Sequence, residues 1–178
     1  RICEGKLPNS PRPVLRAAAT ARVQIAGQAP GRRVHETGIP WNDPSGDLLR
    51  LWLGIERKAF YDARRIAIIP VGFCYPGKGA SGDAPPRPEC APQWHPGLRA
   101  LLPRLRLTLL VGQYAQSYYL GDRRKRTLAE TVRAWPEYLP QFFPLPHPSP
   151  RNRRWLQQNS WFERDVLPEM RARFRAAL

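Results

Sequence analysis

The sequence predicts an α/β fold, a three-layer α/β/α sandwich around a central parallel four-stranded sheet. Two observations lead there. Short apolar runs recur along the chain, and stretches of helical character fall between them. That alternation builds parallel sheets whose two faces are both covered. The chain has 178 residues, enough for one domain with a real hydrophobic core. No internal repeat interrupts it, so residues 1–178 read as a single domain.

Residues 1–20 are rich in proline and small side chains and read as an extended arm. The first strand is expected over 22–26. It breaks at Gly27-Gln28-Ala29-Pro30-Gly31, where two glycines and a proline force a tight turn and let backbone approach a ligand closely. Residues 32–44 read as loop. Ser45-Gly46-Asp47 opens a short helix to Gly54, with Leu48, Leu51 and Trp52 on one face. The second strand spans 65–73, with Ile66, Ile68, Ile69 and Val71 as its buried run. A Gly/Pro loop of about 18 residues follows over 75–92, a length that in a compact domain is functional or mobile. Residues 96–102 are helical, 106–111 form the third strand, and Gly112 turns the chain into a helix over 113–120.

Residues 121–126 form a basic turn. Thr127 and Glu130 make a capping box for a helix to about Ala134. The fourth strand, 142–145, runs into Pro146-His147-Pro148-Ser149-Pro150. A helix over 152–158 and a last helix, opened by a Ser160/Glu163 capping box, complete the chain.

Lys and Arg number 29 against 14 Asp and Glu, a formal +15. Such an excess points to nucleic acid or another polyanion, since neutralising phosphates releases counterions. The plainer reading is an arginine-rich solvated surface. No window is apolar for long enough to span a bilayer, so no membrane role is expected. Three cysteines do not make a disulfide framework and suit a reducing bacterial cytosol or nucleoid. The Gly/Pro turn after the first strand lies where open α/β sheets bind ligands. With the His147 loop after the last strand it forms a candidate active site.

These two loops resemble the two signature motifs of the uracil-DNA glycosylase superfamily, a GQDPY- or GEAPG-type loop and an HPS loop. The stretch 27–41 is similar, without a gap, to the iron–sulfur branch pattern of GEAPG, six residues, then GxPF. Here it reads GQAPG, six residues, then Gly38-Ile39-Pro40-Trp41. The likeness extends more weakly over nearly the whole chain. It implies a monomeric, monofunctional glycosylase that flips a deaminated base, uracil or another, out of single- or double-stranded DNA. Hydrolysis of the N-glycosidic bond would then initiate base excision repair. Neither motif loop holds a lysine, so strand cleavage through a Schiff base has no obvious nucleophile. The alternative is a non-enzymatic nucleic-acid-binding protein of the same fold.

By this resemblance His147 donates a hydrogen bond to the base oxygen that gains charge. The positions that carry a water-activating carboxylate in other branches are Gln28 and Ala29 here, and neither is acidic. Gln28 can hold a water. Asp43 is the nearest substitute: counted back from Ser45-Gly46-Asp47, it falls on the aspartate of a branch that reads FTGDRSGD. Asp43 also reads as a turn cap before Pro44. His35 and Glu36 are weaker candidates. Trp41 takes the place of the phenylalanine that stacks on the base, with Phe73 or Tyr75 as alternatives. Pro70 stands where the iron–sulfur branch has an asparagine, leaving backbone amides, Ala29 or Asn42 to contact the base.

Cys74 and Cys90 are 16 apart, the spacing of that branch's last two cluster ligands. Cys3 matches the second cysteine of its N-terminal Cys-x-x-Cys, whose partner would fall before Arg1. The resemblance therefore implies a [4Fe–4S] cluster on Cys3, Cys74 and Cys90, and buried free thiols are the other reading. The DNA grip is expected from Ser149, Arg151, Asn152, Arg153 and Arg154 at a helix start. Lys78 and the turn Arg123-Arg124-Lys125-Arg126 add positive charge.

Overall fold

The computed structural model describes residues 2–80 and 82–178. Strand β1 (Val23–Ala26) is followed by helices α1 (Arg32–Thr37), α2 (Pro44–Leu53) and α3 (Arg57–Phe60). Strand β2 (Ile66–Ile68) leads to a small antiparallel hairpin, β3 (Lys78–Gly79) and β4 (Gly82–Asp83). Then come α4 (Cys90–Ala100), β5 (Leu107–Val111), α5 (Gln113–Leu120), α6 (Leu128–Arg133), β6 (Phe142–Leu145), α7 (Arg153–Gln158) and α8 (Leu167–Ala177). The main sheet has four parallel strands in the order β2-β1-β5-β6.

Alternate strand residues serve two layers, as the period of two requires. Val23, Ile25, Ile66, Ile68, Leu107, Leu109, Val111, Phe143 and Leu145 pack with Leu49 and Trp52 of α2 and with Met170 and Phe174 of α8. On the other side Ala26, Leu110 and Phe142 meet Ala91 of α4 and Ala115 and Leu120 of α5. The three-layer expectation is the observed one. The N-terminal arm guards the sheet edge. Arg16 exchanges backbone hydrogen bonds with Ile68 at 2.9 and 2.7 Å, so β2 offers no open edge over that stretch.

Several elements depart from expectation. The loop over 32–44 contains α1, closed by Gly38 in the left-handed region; its sequence RRVHET buries only Val34, too little for an apolar stripe. Helix α4 begins at Cys90, so Pro96 lies inside it. The ring is tolerated because Pro92, Gln93 and Pro96 face solvent, where water can satisfy the freed carbonyl. The Gly/Pro loop is partly ordered by the β3-β4 hairpin. The Thr127/Glu130 capping box forms. The Ser160/Glu163 box does not: residues 162–166 make a π-helical turn without a side-chain cap, and the Ser160 carbonyl instead accepts from Arg164 N–H at 3.2 Å. Among the described residues no helix is long and apolar enough to cross a membrane.

Candidate active site

All four parallel strands end at one edge of the sheet, and the loops leaving them enclose a cleft of about 550 Å³. Gly27, Gln28, Ala29, Pro30 and Gly31 come from the loop after β1, Pro70 from the continuation of β2, and Gln113 and Tyr114 from the start of α5. His147, Ser149, Arg151 and Asn152 come from the loop after β6, and Trp41, Asp43 and Ser45 from the start of α2. The glycine-rich loop is tied to the second strand's continuation, since Val71 and Gly72 N–H donate to the Gly27 and Gln28 carbonyls at 2.9 and 2.8 Å.

His147 is held from several sides. Gly112, at φ +84, passes so close that a Cβ there would lie 3.3 Å from the His147 Cβ. The His147 carbonyl accepts from Ser149 N–H and from the Asn152 amide, both at 2.8 Å. Asn152 thus closes the loop on itself instead of only facing outward. Burial pushes the imidazole pKa down, and the Asp43 carboxylate pulls partly against it. Burial thus favours the neutral ring, which can donate from one nitrogen.

Trp41 supplies the flat wall. Its ring centroid is 5.7 Å from that of His147, and a Cβ on Gly27 would lie 2.8 Å from its Cζ2. Its backbone is left-handed, at φ +56, a conformation that costs a non-glycine residue about 1–2 kcal/mol. Neighbours keep it there: the Trp41 carbonyl accepts from the Arg50 guanidinium at 3.3 Å and lies over Gly46, where a Cβ would approach it to 1.8 Å. Asp43 is the N-cap of α2, accepting from Gly46 N–H at 2.8 Å. It lines the cleft as well.

Other candidate residues lie elsewhere. Phe73 does not line the cleft; it stacks on His95 at 5.5 Å. Asn42 is also outside, its Oδ1 accepting from Arg57 at 2.9 Å. His35 packs its ring against Tyr75 at 5.8 Å, and Glu36 pairs with Arg32 at 2.8 Å. Lys78, Arg153 and Arg154 are exposed without lining the cleft. The basic turn 121–126 is not at this edge at all. The Arg123 guanidinium sits over Phe142, the first residue of β6, 5.7 Å from its ring centroid.

Asp83 was not expected here. The β3-β4 hairpin brings it to the cleft, with its Oδ2 3.1 Å from where a Gly31 Cβ would stand. Desolvation raises its pKa, while Arg151 and the Tyr75 hydroxyl act to lower it.

Behind the cleft, His95 Nε2–H donates to the Pro70 carbonyl at 3.0 Å, which leaves Nδ1 to accept from the Tyr119 hydroxyl at 2.7 Å. Tyr119 accepts from the Gln24 amide, and Gln24 from Arg99, each at 2.7 Å. Burial pushes the His95 pKa down to about 4. This relay pins Pro70, the residue that stands where the resemblance places an asparagine.

The three cysteines carry free thiols. Burial pushes Cys90 up to about 11, with Cys3 and Cys74 adding to the rise; burial first and then Cys3 raise Cys74. The thiols therefore feel one another, and soft sulfur donors suit iron–sulfur chemistry. Among the described residues no group of three His, Cys, Asp or Glu side chains is spaced to hold a metal ion.

A sequence model described as the uracil DNA glycosylase superfamily matches residues 15–171. The fold is similar to the solution NMR structure of a candidate uracil DNA glycosylase from Methanosarcina acetivorans. The TM-score is 0.55 at 19% sequence identity, covering 90% of this chain and 93% of that one.

Proposed function

Since the chain belongs to the uracil DNA glycosylase superfamily, we propose that it removes uracil or another deaminated base from DNA by hydrolysing the N-glycosidic bond. The product is an abasic site in an uncut strand. The observation that carries this reading is the loop-held His147 beside the Trp41 ring at the mouth of one cleft.

In the transition state the sugar gains positive charge and the base gains negative charge, so interactions that strengthen at that moment speed the reaction. Trp41 offers a face on which a flipped base can stack. His147 donates to the base oxygen as it becomes anionic. Asp43, fixed at the start of α2, stabilises the cationic sugar and orients water, and Gln28 offers a further hydrogen bond to that water. Ser149 and Arg151 hold backbone phosphate at the cleft rim. Pro70 offers the base no side-chain donor, so the base edge is read by loop backbone amides.

The test is incubation with labelled single- and double-stranded oligonucleotides carrying one uracil, hypoxanthine or xanthine, followed by alkali. Strand breaks after alkali, and none before, are expected. One observation favours a second reading, a non-catalytic DNA-binding protein. The motif positions Gln28 and Ala29 lack a carboxylate, and Asp43 already caps a helix. DNA binding without abasic sites from any of the three bases would select it.

A [4Fe–4S] cluster on Cys3, Cys74 and Cys90 is also part of the proposal, supported by the spacing of Cys74 and Cys90 in the sequence. It would tie the N-terminal arm to the end of β2 and the start of α4, and no step of excision passes through it. Iron and acid-labile sulfide in anaerobically prepared protein are expected; iron-free protein that is folded and active removes the cluster.

A further inference from the structure

Part of the positive charge stands at the sheet edge opposite the cleft. Arg65, Arg22 and Arg106 each stand one residue before a strand, β2, β1 and β5 respectively. They are direct neighbours across the sheet: Arg22 N–H donates to the Arg65 carbonyl at 2.9 Å, and Arg106 N–H to the Arg22 carbonyl at 2.8 Å. Arg123, over Phe142, extends the row to the start of β6. A cation thus stands at the head of every strand, over roughly 15 Å at the ordinary strand spacing, with the half-buried Arg22 guanidinium engaged in donating to the Leu178 carbonyl at 2.8 Å. Arg124 follows in an exposed turn. Arg65 and Arg106 are exposed, and neither makes an ion pair among the described residues. Like charges on adjacent strands destabilise a sheet, and a polyanion would relieve that repulsion while releasing counterions.

We infer that this edge, remote from the cleft, is a second binding surface for the phosphate backbone of a DNA duplex, so that one molecule can hold two duplex segments. DNA is chosen among polyanions because the opposite edge carries the proposed base-excision cleft, and to that extent the inference rests on that reading.

The experiment uses the full chain and two undamaged duplexes, one labelled with a donor and the other with an acceptor fluorophore. Protein-dependent energy transfer reports bridging. Arg65→Gln/Arg106→Gln/Arg124→Gln should need at least about tenfold more protein to bridge, and its salt slope should fall by about 0.9 per cation removed. Excision from a short uracil oligonucleotide should be unchanged. The charge-keeping variant Arg65→Lys/Arg106→Lys/Arg124→Lys should bridge like the parent, which separates charge from misfolding. Parental bridging and slope in the glutamine variant overturn the inference. So does parent protein that sediments with phosphatidylserine vesicles without bridging duplexes, which would make the edge a lipid surface. If no base is excised while bridging depends on these arginines, the excision reading fails and this one stands.

Discussion

Replacing Gly46 by alanine is the sharpest local perturbation of the proposed chemistry. The added Cβ would stand 1.8 Å from the Trp41 carbonyl oxygen and 2.6 Å from its carbon. Restoring an ordinary contact requires backbone movement of more than about 1 Å, and both partners are backbone, so no side-chain rotation relieves it. The segment that must move carries the Trp41 wall and the Asp43 cap, and Gly46 N–H is itself the donor to Asp43. A displacement of about 1 Å in a positioned group costs on the order of 10²-fold in rate. Single-turnover excision at saturating enzyme should therefore fall by about that factor. Loss of the cap would lower stability by about 1 kcal/mol. Gly97→Ala is the control: it lies in the exposed part of α4 with nothing within 4 Å of a new Cβ. It should stabilise by roughly 0.5–1 kcal/mol and leave the rate alone. A folded Gly46→Ala protein that excises at the wild-type rate would refute the reasoning that places Trp41 and Asp43 in the chemistry.

Asp43→Asn separates cap from charge, because asparagine caps as well as aspartate. Stability should hold within a few tenths of a kcal/mol while the excision rate falls about 10²-fold; full activity would leave Asp43 only its cap. The same variant should shift the acid limb of the pH–rate profile to lower pH, since the Asp43 carboxylate raises the His147 pKa. His95 makes the fold acid-sensitive. Its folded pKa of about 4 lies below the ordinary 6.5, so the unfolded chain binds the proton first. The stability it holds above pH 6.5 is lost as pH falls towards 4, by about 3 kcal/mol. Urea titrations of wild type and His95→Gln across that range should converge as pH falls.

Much of this was legible in the sequence. The four strands stood out because both sheet faces are covered, which makes Val23, Ile66, Leu107 and Phe143 part of apolar runs. The two motif loops follow from chain order, since parallel strands must end at one edge. Gln113 and Tyr114 could have been placed in the cleft by the same rule, as they follow β5 after Gly112. Asp83 could not. Its hairpin pairs Lys78 with Asp83 and Gly79 with Gly82, residues without apolar alternation, so only three-dimensional packing delivers that carboxyl. The basic turn misled for the opposite reason. Charge is visible in sequence, but its position depends on α5 running back along the sheet to the edge where β6 begins.

The central claim rests on His147 as the donor to the departing base. Single-turnover excision by wild type and His147→Ala, on a uracil oligonucleotide at saturating protein, measures it most directly. The account predicts abasic sites from wild type, with the variant slower by at least about 10² and its DNA affinity nearly unchanged. Equal rates for the two proteins, or a rate loss explained entirely by weaker DNA binding, would contradict it.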